Sequence, residues 1–278
     1  MNIIAAGSQD SLLHPLPAPG DHAGRLIGPL TGVPYLDLLE ECGKQFGGQR
    51  YLEIGTQEGA SLIRARGTCI SIDPAYKRVW LAWNLGIIGL RSTFRRRINF
   101  HRTTSDDYFA RHDPKAALGG PLQLAFIDGM HHYEFVLRDI FNCERNAAPD
   151  SVLLVHDCIP WSHRMTRRLR VLADGSFEET LGAWTGDVWK VLPILARWRP
   201  DLRITVLDAP PTGLVAITGL DPSSTILRDR HEEMVAARDA EPDTEAELAA
   251  WLAERQVIDS RAALASGSLR RALFQSGP

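Results

Sequence analysis

No Cys-x-x-Cys pair occurs in this chain of 278 residues; its four cysteines, Cys42, Cys69, Cys143 and Cys158, lie far apart. That scatter argues against a structural zinc site or a disulfide framework and leads us to expect reduced thiols in a cytoplasmic protein. A strong charge of either sign is also missing: 31 Lys and Arg face 34 Asp and Glu, a net charge of −3. Nothing here draws the chain to nucleic acid or to a membrane surface, and the arginines at 95–97 and at 167, 168 and 170 read as solvated faces. The start lacks the basic and apolar regions of a signal peptide, and no apolar run nears the roughly 18 residues that span a bilayer. What remains, 44% hydrophobic and 23% charged residues, is the composition of a soluble globular protein. Its length suits one large domain or a domain with an appendage.

The period of the apolar residues predicts the elements. Residues 1–33 are rich in Pro and Gly and read as an arm or lid. "YLDLLEECGKQF" (35–46) has helical spacing, "RYLEIG" (50–55) is a short apolar strand, and "ASLIRAR" (60–66) reads as the next helix. "TCISIDP" (68–74), "INFHRT" (98–103), "LQLAFID" (122–128) and "SVLLVHD" (151–157) are further strands. Between them the pattern predicts helices at 76–88, from 105, and over "YEFVLRDIFNCERNA" (133–147). "VWKVLPILARW" (188–198) is helical, and "LRITVLD" (202–208) and "GLVAITG" (213–219) are strands close enough to pair. The alternation predicts an α/β fold: a Rossmann-like, doubly wound, mostly parallel sheet ending in an antiparallel strand pair. We expect an N-terminal arm (1–33), a core domain (34–221) and a helical C-terminal extension (222–278). The apolar face of the 243–276 helices has two uses open to it, its own domain or a second subunit in a homo-oligomer.

Ligands of open α/β sheets sit beyond the carboxyl ends of the strands. There the first strand of the alternation runs into Glu53, Gly55, Gly59 and Ser61, and twenty residues after Glu53 the next strand ends in Asp73. Gln57 stands where a dinucleotide fingerprint needs its middle glycine, so a pyrophosphate is disfavoured. The pattern E-x-G-x-x-x-G-x-S followed by I-D-P resembles the S-adenosylmethionine (SAM) site of class I methyltransferases. That resemblance implies a glycine loop around the amino acid end of SAM, with Glu53, Gly55, Gly59 and Ser61, and a ribose contact at Asp73. It also makes Ser105 and Asp106, in "HRTTSDDYF", the adenine candidates and puts Asp128 beside the cofactor. Ser105 has an ordinary alternative as a helix N-cap.

The stretch "FIDGMHHYE" (126–134) gathers an aspartate, two histidines, a tyrosine and a glutamate at one strand exit, and "VHD" ends the next strand at His156 and Asp157. Carboxylates suit Mg²⁺ or Ca²⁺, and an added imidazole widens the choice to Mn²⁺, Fe²⁺ or Zn²⁺. "IDGMHHYEFVLRDI … SVLLVHDC" resembles metal-dependent O-methyltransferases that act on sugars and other small hydroxylated compounds, the macrolide-sugar type above all. The resemblance, over roughly residues 31–220, implies Asp128 and Asp157 as metal ligands and His131 as base. His156 stands where that group has an acid, so it is a third ligand candidate and the site loses one carboxylate. A poorly ionised hydroxyl needs such help: a cation stabilises the alkoxide and a histidine takes the proton.

Each residue has a plainer use. Asp128 before Gly129 makes a turn; His132 is an exposed neighbour or a substrate contact; Tyr133 and Glu134 open a helix, Glu134 near its positive end; Asp139 belongs to that helix's polar face. His156 and Asp157 could cap the next segment. Thr185 or Asp187 could cap the helix at 188, and Trp161, Trp184, Trp189 and His163 divide between core packing and an acceptor pocket. The expectation is a SAM-dependent, metal-assisted O-methyltransferase with a small hydroxylated substrate such as a sugar or glycosylated natural product. Two others stand beside it: a metal-free transferase using His131 alone, and a SAM-binding scaffold without turnover.

Overall fold

In the computed structural model, the structure describes residues 12–22, 24–46, 49–77, 97–169 and 183–275, with 82, 83 and 86. Nine strands form one sheet: β1 (Leu13–Pro15), β2 (Arg50–Ile54), β3 (Thr68–Ile72), β4 (Arg97–His101), β5 (Leu122–Ile127), β6 (Ala147–His156), β7 (Arg203–Leu207), β8 (Leu214–Thr218) and β9 (Gln256–Ile258). Their order is β1-β9-β7-β8-β6-β5-β2-β3-β4. Strands β4, β3, β2, β5 and β6 run parallel, and β8 lies antiparallel between β6 and β7. This is the Rossmann-like α/β fold the alternation implies. The order reverses between β2 and β5, where such a sheet opens a crevice.

The central strands are largely buried because helices cover both faces, and their residues alternate between the two. Leu52 and Ile54 of β2, with Ala125 and Ile127 of β5, meet α2 (Ser105–Arg111), α3 (Pro114–Leu118), α4 (Tyr133–Glu144) and α5 (Val191–Trp198). Two short helices, α6 (Ile226–Asp229) and α7 (His231–Asp239), add Leu227 and Met234 to that layer. On the other face Tyr51, Leu124 and Phe126 meet α1 (Tyr35–Gln45), through Leu38, Leu39 and Cys42. The same layer takes α9 (Ser260–Ala265) and α10 (Leu269–Phe274), through Ala263, Leu269 and Leu273. A third cluster joins Ile27 and Leu30 of the arm to Trp161, Trp189 and, on α8 (Glu245–Ala253), Leu248 and Leu252. Within 243–275, Leu248, Leu252, Ala263, Leu269 and Leu273 thus pack on their own chain.

Three details differ from the sequence reading. "ASLIRAR" forms only a 3₁₀ turn, Leu62–Arg64, because Ser61, which could have capped a helix, gives its hydroxyl to Glu53. The extension carries a strand besides its helices: β9 pairs with β1 and β7, so the arm and the extension both join the sheet. The cap of α2 is Thr104, whose Oγ1 accepts from the Asp107 amide at 3.2 Å, and Ser105 is the first helical residue. The helix expected at 76–88 lies largely outside the described residues.

Candidate active site

The exits of β2, β3 and β5 fit together through glycine and left-handed backbone. Gly55 has φ +89°, and a Cβ there would strike the Asp128 carbonyl, so only glycine lets the two loops meet this closely. Gln57, His131 and Asp157 are the non-glycine residues with positive φ among the described residues, and they follow the ends of β2, β5 and β6 respectively. Such conformations cost about 1–3 kcal/mol each and gather at working sites.

A cavity of about 520 Å³ opens beside the glycine loop. Of the residues singled out by sequence, Gly55, Asp73, Ser105 and Asp106 line it; Glu53, Gly59, Ser61 and Asp128 stand outside its walls. Asp73 is buried and holds the loop, its Oδ2 accepting from the Gln57 amide at 2.7 Å and its Oδ1 from the Ala75 amide at 2.6 Å. Glu53 is fully buried beneath the loop, where Tyr51 Oη and Ser61 Oγ donate to it at 2.5 and 2.9 Å. Burial pushes its carboxyl up to about 7 against the pull of those hydrogen bonds. Glu53 and Ser61 therefore brace the loop from below. Met130, Phe135 and Asp139 complete the cavity wall. Asp139 does not belong to a solvent-facing stripe: it is buried, because α2 packs over that side of α4.

Beyond Gly129 the acidic and imidazole groups converge. His131 Nε2 lies 3.3 Å from Asp128 Oδ1, and its Nδ1 lies 3.1 Å from Asp157 Oδ2. His156 Nδ1 stands 3.4 Å from Asp128 Oδ1 and 3.3 Å from Asp157 Oδ1. These distances give attraction without alignment: His131 Nδ1 and both ring nitrogens of His156 have no hydrogen-bond partner among the described residues. Thr212 Oγ1 donates to Asp157 Oδ1 at 2.5 Å, fixing that carboxylate. Burial would raise the Asp128 carboxyl, but His156 and His131 hold it well below the usual carboxylate range. Burial works against protonating His156, yet Asp157 and Asp128 bring it to about 10. The same two acids raise His131 despite its burial.

Ligand atoms of Asp128, His131 and Asp157 lie within 4.8 Å of one another, close enough to share a metal ion. Two carboxylates and an imidazole, with orphaned ring nitrogens beside them, make a fitting donor set for a borderline divalent ion. His156 borders this group rather than completing it.

Neighbouring elements hold the cluster in place. Trp184 stacks on His131, ring centroids 4.7 Å apart and planes at 4°. Gly186 packs where a Cβ would strike the His131 carbonyl. Asp187, at the N-cap position of the turn at 188, instead accepts from the Tyr133 amide at 3.0 Å and so caps α4. Tyr35 tilts over His156, centroids 4.0 Å apart; nothing local in the sequence pointed to it, because it arrives from α1. Trp161 and Trp189 are core residues of the third cluster, His163 pairs with Asp243, and His132 meets the Arg168 carbonyl. Of the aromatic candidates, Trp184 touches the cluster.

No helix among the described residues is long and apolar enough to cross a membrane. No curated protein matches the chain in sequence. Solved structures similar to it include the O-methyltransferase TomG from Streptomyces achromogenes, involved in tomaymycin synthesis and bound to SAM: 17% identity over 66% of this chain and 78% of that one, TM-score 0.44. Two others are an O-methyltransferase from Bacillus cereus in complex with SAH (14%, 66% and 79%, TM-score 0.43) and SAH-bound PaMTH1 from Podospora anserina (14%, 67% and 78%, TM-score 0.45). A family model described as a methyltransferase domain matches residues 52–158. The segment that this model matches carries both the cavity and the cluster.

Proposed function

We propose that the protein is a SAM-dependent O-methyltransferase, assisted by a divalent metal, that methylates a hydroxyl of a small molecule such as a sugar or glycosylated natural product. One observation carries this reading: the cavity and the Asp128–His131–Asp157 group adjoin across Gly129 and Met130. A methyl donor in one would face a hydroxyl at the other. Residues 34–221 would be the catalytic unit, with the arm (1–33) and the extension (222–278) framing its acceptor side.

SAM supplies an activated methyl group on a sulfonium centre. In this reading Gly55 gives its backbone room, Asp73 takes the ribose diol, and Ser105 and Asp106 flank the adenine. Asp128, Asp157 and His131 would hold a divalent ion, Mg²⁺ or the softer Mn²⁺ or Fe²⁺, which supplies Lewis acidity toward an acceptor oxygen. His156, cationic beside Asp128 and Asp157, balances their charge. Trp184 keeps the His131 ring in its plane and offers an apolar wall to an acceptor. Orientation of this kind can contribute up to about 7–11 kcal/mol of the barrier.

A metal-free reading has its own support: both nitrogens of His131 face carboxylates, which would orient and raise the basicity of an imidazole base. The test is calorimetry of SAM with the stripped protein, then mass-spectrometric screening of vicinal-hydroxyl sugars and glycosides with and without Mg²⁺ or Mn²⁺. One SAM per chain and a methylated product lost on chelation support the metal-assisted reading. A product indifferent to chelator favours His131 alone; SAM binding with no product anywhere favours a scaffold. Failure to bind SAM overturns the proposal.

A further inference from the structure

The cavity wall contains an acid that the methyltransferase reading leaves without a task. Asp139, on α4, is only 2% exposed and lines the cavity with Ser105, Asp106, Met130 and Phe135. Its Oδ1 has no hydrogen-bond partner among the described residues, and a buried oxygen left so is a position for something that binds. The nearby cation is engaged elsewhere: Arg138 gives Nε and Nη2 to the two oxygens of Asp106 at 3.1 and 2.8 Å.

Burial pushes the Asp139 carboxyl up to about 7, with Asp106 adding to the rise and Ser105 and Arg138 opposing it. One helical turn on, Cys143 is a buried thiol that burial and Asp139 push up in turn. Asp73 and Lys77 line the same cavity. Burial thus favours the protonated form of Asp139 toward neutral pH.

We propose that Asp139 reads the adenine of the bound cofactor as a carboxylic acid, its O–H donating to a ring nitrogen and its C=O accepting from the neighbouring N6 amino group. This rests on the reading that SAM occupies the cavity. The adenine edge sets an acceptor nitrogen beside an amino donor, and a protonated carboxyl presents the complementary pair. An ionised carboxylate offers two acceptors and repels the ring nitrogen. Cofactor binding then takes up a proton, and apparent affinity follows the fraction of Asp139 that is protonated.

The experiment is calorimetric titration of S-adenosylhomocysteine into the full chain from pH 6 to 9, each pH in two buffers of different ionisation enthalpy. The wild type takes up about half a proton per ligand at pH 7 and loses affinity roughly tenfold per pH unit above it. Asp139→Asn keeps a donor and an acceptor without titrating. It binds near the wild-type level at pH 6 and lacks that pH dependence; whatever dependence it keeps belongs to the ligand's own amino group. Asp139→Leu binds at least about tenfold more weakly, having lost both hydrogen bonds. Wild-type binding with no proton uptake, or with affinity rising with pH, overturns this inference and leaves the cofactor reading standing. No binding by the wild type at any pH overturns the cofactor reading, and this inference with it. The wild-type proton count needs no variant, so a substitution that failed to fold would not decide the matter.

Discussion

Among the buried ionic clusters of the described residues, two are built in opposite ways. At the far end of α4, Arg199 is fully buried and donates Nη1 and Nη2 to Glu144 at 2.7 and 2.8 Å, and Nη2 to Asp201 at 2.7 Å. The Asp221 amide adds a bond to Glu144 at 3.0 Å. At the strand exits, Asp128, His131, His156 and Asp157 stand 3.1–3.4 Å apart with ring nitrogens unaligned. A bidentate guanidinium–carboxylate pair with its lone pairs satisfied fixes one geometry. A loose cluster held by strained backbone has room for a ligand. Polar satisfaction, more than burial, separates the two clusters.

The largest effects should fall on activity at one cluster and on stability at the other. Once an acceptor is known, His131→Ala should lower kcat/KM by about 10²–10⁴-fold, in steady-state kinetics, with little change in thermal midpoint. Arg199→Met should cost about 3–5 kcal/mol in urea unfolding, because it leaves Glu144 buried without its cation, while cofactor affinity stays within about twofold of wild type. Asp128→Asn, whose side chain is 22% exposed and whose amide can still meet the neighbouring imidazoles, should cost less, about 1–3 kcal/mol. Equal stability losses in the two clusters would break the comparison.

Glu53 sharpens it from beneath the loop. Its folded carboxyl is raised from 4.5 to about 7, so the folded state holds a proton that the unfolded chain has released. Its contribution is present below pH 4.5 and lost as pH rises through 7. Relative to Glu53→Gln, wild-type stability should fall by up to about 3 kcal/mol between pH 4.5 and 8, read from unfolding midpoints across that range; a parallel pH profile would contradict it. Trp184→Ala is the smallest change: losing the stack on His131 should cost about 1 kcal/mol and roughly 2 °C in thermal midpoint.

The sheet was legible in the sequence because each central strand is an apolar run closed by Gly, Pro or Asp, as at Gly55, Pro74 and Asp128. The convergence of Asp128, His131 and Asp157 was legible for the same reason, since parallel strands deliver their ends to one edge. The rest depends on partners remote in sequence. Three residues, Gln256–Ile258, become a strand only by meeting β1 and β7. Asp139 looks solvent-facing by helical period, yet α2 covers it, and no periodicity can announce a helix buried on several sides. Tyr35 and Trp184 reach the cluster from 93 residues before Asp128 and 27 after Asp157, and only the folded chain brings them there.

The most direct test of the comparison is calorimetric titration of Mn²⁺ into the chain saturated with S-adenosylhomocysteine, in wild type and in Asp128→Asn. The account predicts one saturable site in wild type, tighter as pH rises because His131 must give up its proton to bind, and no such heat in the variant. Absence of a metal heat in wild type, or one that Asp128→Asn leaves unchanged, would contradict the claim that the loose cluster is built to hold an ion.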